Sequence, residues 1–156
     1  MRVLAAILVS GLISAVPALA QTRVPTAQEV AAIRQCVEKY DQETEIENNC
    51  LYKLVAEPCI EKEPSNLGMA DCHRIEGTIW DRILNENYKA LAAELEDKEQ
   101  ARKLREMQRA WIASRDRTCE FFQHKIRGSM AIPVHAACMS RETARRALLL
   151  KAFQGI

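Results

Sequence analysis

Six cysteines constrain this chain more than any other feature. Cys36, Cys50, Cys59, Cys72, Cys119 and Cys138 all lie downstream of an apolar leader. Met1-Arg2 is a minimal basic start, Val3 to Val16 is almost wholly apolar, and Pro17-Ala18-Leu19-Ala20 ends in an A-x-A cleavage signature. The leader reads as a secretory signal peptide with cleavage expected after Ala20, which places the protein in the periplasm or outside the cell. A transmembrane anchor is the competing reading. The run is short for a full span, and small residues stand where a peptidase needs them. Gln21, not Cys, follows the cut, so nothing indicates a lipid anchor, and no later stretch reads as membrane-inserting. An even number of cysteines in a short exported chain argues for three disulfides.

Other uses of the thiols are poorly supported. Successive cysteines are 14, 9, 13, 47 and 19 residues apart, with no C-x-x-C pair for a metal or a redox couple. Only three histidines are present, His73, His124 and His135. His135-x-x-Cys138 has chelating spacing, but a lone pair of that kind is ordinarily coincidence. No metal and no other cofactor is expected.

Charge narrows the partners. The chain has 22 Lys+Arg and 21 Asp+Glu, and the leader contains one cation, Arg2, and no acid. The remaining 136 residues therefore carry 21 charges of each sign and a formal net charge of zero. A nucleic-acid binder would show a basic excess, so no nucleic acid is expected. The length after cleavage suits one globular unit.

Periodicity predicts an all-α protein, a compact disulfide-stapled bundle of about five helices, with no stretch alternating at a strand's period. Thr26-x-x-Glu29 is a capping box, followed by Val30, Ile33, Val37 and Tyr40 at helical spacing. Thr44-x-x-Glu47 reads as a second box, opening a helix through Ile46, Cys50, Leu51, Leu54 and Val55 that Pro58 should end. These elements make residues 21–66 an N-terminal helical hairpin extension. A long helix is expected from about Met69 to Leu95, with Gly77 weakening it locally while permitting close packing. Asp97 should cap the next helix, from about Lys98 to His124. Gly128, Ser129 and Pro133 should open a loop, and Ser140 should cap a final helix ending near Phe153. Residues 67–156 are read as the main helical domain, one unit with the extension.

Gln108, Trp111, Arg115 and Cys119 share one helical face. With Cys138 and Arg146 they read as a disulfide-locked corner that holds out a loop from Phe122 to Ala137. Cys119–Cys138 is the firmest expected pair. The other four cysteines allow three pairings. Cys36–Cys50 with Cys59–Cys72 is preferred, and Cys50–Cys59 with Cys36–Cys72 is the main competitor.

Further residues in the second half form a recognisable pattern. Glu76, Trp80-Asp81, Leu84-Asn85 and Tyr88 fit E-x-x-x-W-D-x-x-L-N-x-x-Y. Gln108 to Trp111 with Arg115, Asp116 and Cys119 fit Q-R-A-W and R-D-x-x-C, and Cys138, Thr143 and Arg146 fit C-x-x-x-x-T-x-x-R. Together, over roughly Cys72 to Leu150, they resemble the LprI-like lysozyme-inhibitor domain, a family of small exported helical proteins. The resemblance implies a cell-envelope protein that acts by binding a lysozyme or another peptidoglycan hydrolase. An envelope structural or interaction module with no lysozyme target is the alternative.

The polar members of the pattern, Glu76, Asp81, Asn85, Tyr88, Arg115, Asp116 and Arg146, together with Trp111, are read chiefly as a structural frame. Arg115 is expected to pair with Glu76 or Asp81, because its planar fork suits a carboxylate. The candidate partner-binding residues are Lys125, Arg127, Ser129 and His135 in the stapled loop. Glu76 with Asp81, or Asp116 with Glu120, offers carboxylate pairs, but such pairs occur on any solvated helix of a chain with 28% charged residues. No nucleophile motif or phosphate loop accompanies them. The chain is therefore not expected to be an enzyme.

Overall fold

A computed structural model describes residues 23–156, so the leader and its expected cleavage site lie outside the described residues. Six helices and no strand are found among the described residues: α1 (Ala27–Lys39), α2 (Glu43–Cys50), α3 (Ala56–Ile60), α4 (Asn66–Glu94), α5 (Lys98–Ile126) and α6 (Ala131–Ala152). The sulfurs pair as Cys36–Cys50, Cys59–Cys72 and Cys119–Cys138, with Cα atoms 5.8, 5.6 and 5.5 Å apart. This is the preferred pairing.

Local chemistry explains most of the helix ends. Thr26 Oγ1 accepts from the Glu29 backbone N–H, and the Glu29 carboxylate accepts from the Thr26 N–H, completing the first capping box. Arg23 bonds the same carboxylate at 2.6 and 2.9 Å and holds it down at about 2. Ser65 caps α4 through the Gly68 N–H, and Asp97 caps α5 through Glu99.

Three expected boundaries are corrected. The second capping box is absent. The chain enters α2 at Gln42, so Thr44 falls inside the first turn and Glu47 instead bonds Arg145 at 2.8 and 3.0 Å. That helix ends at Cys50, and Pro58 lies in the first turn of α3, where its missing N–H costs no helical bond. At the other end α6 begins at Ala131, not after Ser140. Pro133 is tolerated there as its third residue, so the expected loop shrinks to the four residues between α5 and α6.

The long helices fix the architecture. α6 packs along α4, and α5 packs on α6 while hardly touching α4. One hydrophobic core joins Ile33, Val37 and Ile46 of the N-terminal hairpin to Ile75, Ile79 and Trp80 of α4 and Ala147 and Leu150 of α6. No helix of the described residues is long and apolar enough to cross a membrane.

Gly77 faces α6, where a Cβ would lie 3.5 Å from Ser140 Cα and 3.7 Å from Ser140 Oγ. Those are ordinary van der Waals separations. Gly77→Ala is therefore expected to raise stability by about 0.5–1 kcal/mol, the helical preference for alanine. Urea denaturation would measure it. A destabilised variant would mean that the interface has no room for a methyl group.

Candidate functional site

Among the described residues the most deeply placed charged one is Glu76, which is fully buried. Its Oε1 accepts from the Tyr52 N–H at 2.9 Å and from Trp80 Nε1 at 3.1 Å, and its Oε2 accepts from the Ala56 N–H at 3.0 Å. The carboxylate thus holds the turn after α2 and the first N–H of α3 against α4. Burial pushes its pKa above the ordinary carboxylate range, against the pull of these donors. Tyr52 needs such an anchor. Its φ is 68°, the left-handed region that side chains disfavour. Its hydroxyl donates to the Ala137 carbonyl at 2.7 Å, and burial raises that phenol to about 12.

The expected pairing of Arg115 with Glu76 or Asp81 is therefore corrected. Glu76 faces the N-terminal turn and is already occupied, while Asp81 accepts from Asn85 Nδ2 at 3.0 Å. Arg115 bonds its neighbour Asp116 through Nε and Nη2 at 3.0 and 2.8 Å. Its guanidinium lies 4.9 Å from the Trp111 ring centroid, and that of Arg146 lies 5.5 Å from the same ring. Arg146 is only 5% exposed, and its Nε donates to Gln108 Oε1 at 2.9 Å. Among the described residues it has no carboxylate partner, and burial lowers its pKa. An indole flanked by two cations, with one amide, ties α5 to α6. Tyr88 packs half-buried against the core.

The four candidate partner-binding residues do not share one loop. Lys125 lies in the last turn of α5, Arg127 is the residue that ends that helix, and Ser129 sits in the turn. His135 lies on α6, where it borders a cleft instead of the tip. The turn is held firmly. Cys119–Cys138 closes it from behind, and Ser129 Oγ accepts from Asn66 Nδ2 at 2.8 Å. Arg127 has φ 56° and ψ 164°, a conformation that costs a non-glycine residue about 1–3 kcal/mol.

The tip also presents apolar groups that had not been singled out as binding residues. Phe121 is 62% exposed and Met130 50% exposed, with Ile126 between them in sequence. The adjacent pair Phe121-Phe122 carried a usable signal, since successive helical residues cannot both face one core. Lys125 and Arg127, also exposed, add two cations near the same end of the hairpin.

These features define a disulfide-stapled helical domain. A model of the lysozyme inhibitor LprI family matches residues 59–150, more than half of the chain. The protein belongs to the LprI family. No curated protein and no solved structure matches it. The match begins at Cys59, earlier than the pattern legible from Cys72 onward, and so includes the Cys59–Cys72 staple.

Proposed function

We propose that this protein is an exported inhibitor that binds a lysozyme-type hydrolase through the α5–α6 tip. Family membership supports inhibition in general. The observation that supports the tip is its composition: two cations, Lys125 and Arg127, beside exposed Phe121 and Met130 on a turn already locked by a disulfide. Lysozyme-type enzymes work with two carboxylates in a cleft. Lys125 and Arg127 would meet those carboxylates, and Phe121 and Met130 would cover apolar surface beside them. Prior locking lowers the ordering cost of binding. Export through the leader and work in the envelope belong to the same reading, which agrees with three disulfides.

The test is a titration of purified, oxidised protein against a panel of lysozymes and the host's own peptidoglycan hydrolases. Stoichiometric inhibition of at least one enzyme is expected. Lys125→Glu with Arg127→Glu should weaken it by about a hundredfold or more, as like charges meet in the cleft. Both positions are exposed, so the melting temperature should hardly move. Unchanged inhibition would exclude the tip. Silence across the panel would favour an envelope interaction module with no lysozyme target.

A further inference from the structure

A cleft of about 440 Å³ opens beside α6, walled by residues of α4, α5 and α6. Its size is that of a small-molecule site. Gly77 leaves the floor open beside Ser140, and Met139 adds an apolar wall. Asp81 and Arg115, two members of the family pattern, border it from different helices.

Two polar groups of this cleft lack what buried groups ordinarily have. Ser140 is 1% exposed, and its Oγ has no hydrogen-bond partner. His73 Nδ1 is also buried and unpartnered, although the ring is fixed edge-on against Tyr52 at 5.1 Å. Burial holds the pKa of His73 below its usual value, so the ring is neutral at pH 7. An unsatisfied buried group in a folded protein requires an explanation. A ligand that bonds both is one. Arg115 adds a charge to the same wall. Asp116 occupies its Nε and Nη2, and among the described residues no hydrogen bond is found at its Nη1. Asp81 accepts on one carboxylate oxygen from Asn85 and can still accept from a hydroxyl.

We infer that this cleft binds a small polyhydroxylated organic acid, of the size and chemistry of a sugar acid. Its carboxylate would pair with Arg115, a hydroxyl would donate to Asp81, and further oxygens would bond Ser140 Oγ and His73 Nδ1. The inference does not depend on the tip or on any lysozyme target.

Glucuronate and glucose are suitable probes, since they differ only in the carboxylate. Amide chemical shifts of the oxidised protein should move saturably around Gly77, Arg115 and Ser140 with glucuronate, and at least about tenfold more weakly with glucose. Ser140→Ala separates binding from structure. Removing an unpartnered hydroxyl should leave the melting temperature unchanged or higher, yet glucuronate affinity should fall about fivefold or more. Arg115→Gln should abolish the preference for glucuronate over glucose. The proposal is overturned if glucuronate causes no saturable change at millimolar concentration. Equal binding by wild type and Ser140→Ala would also overturn it, by showing that the unpartnered hydroxyl plays no part in holding the acid.

Discussion

Glu76→Ala is expected to destabilise the protein by about 3–5 kcal/mol. The substitution leaves three donors unsatisfied, the backbone N–H groups of Tyr52 and Ala56 and the indole N–H of Trp80, all turned inward. It also removes what holds Tyr52 in its left-handed conformation. Against a total stability of roughly 5–15 kcal/mol for a domain, such a loss would leave little folded margin. Glu76→Gln should fall between the variant and wild type, because its amide keeps one accepting oxygen and turns an N–H toward a donor. The pH dependence has a defined sign. The folded carboxyl lies above its ordinary value of 4.5, so the folded state binds this proton more tightly than the unfolded one. The contribution of Glu76 is therefore complete below about 4.5 and declines as pH rises through the folded value. The gap between wild type and Glu76→Gln should narrow over that window. Urea denaturation at several pH values measures both effects. A cost for Glu76→Ala below about 1 kcal/mol would show that the turn after α2 is held by something else.

The second large effect concerns the staple behind the tip. Replacing Cys119 and Cys138 together by alanine should cost about 3 kcal/mol, the chain-entropy value for a loop of this length. Both sulfurs lie in buried residues, so a packing loss adds to it. Under the proposed function, inhibition should fall further than stability. The freed turn must then be ordered on binding, with Arg127 in a conformation it disfavours. Inhibition assayed where circular dichroism shows the variant still folded separates the two. Undiminished inhibition there would show that binding does not need the locked turn.

Much of the fold was legible because it rests on local chemistry. Thr26 and Asp97 act through neighbours two or three residues away, and the stripes of α4 and α5 repeat over many turns. The errors arose where a residue's meaning depends on position within an element. Pro58 and Pro133 look like helix breakers, yet each lies in a first turn, where proline costs little. Ser140 resembles a cap but is a small residue in mid-helix that lets α6 approach Gly77. Partners distant in sequence were less legible. The register between helices decides that Glu76 meets Tyr52 and Ala56 and that Arg146 meets Gln108, and no local pattern encodes it. The cleft likewise needs three helices in place before Ser140, His73 and Arg115 become neighbours.

The position of α5 has a consequence for motion. Only Leu104 and Cys119 of its residues are buried, and it packs chiefly on α6. Such an element belongs to the low-stability end of a protein's opening spectrum. Its amides should exchange with solvent well before those of α4, through an opening that leaves the central helix pair closed. The covalent link at Cys119 limits how far that opening can travel. On this reading α5 would open as a tethered flap, fastened near its tip.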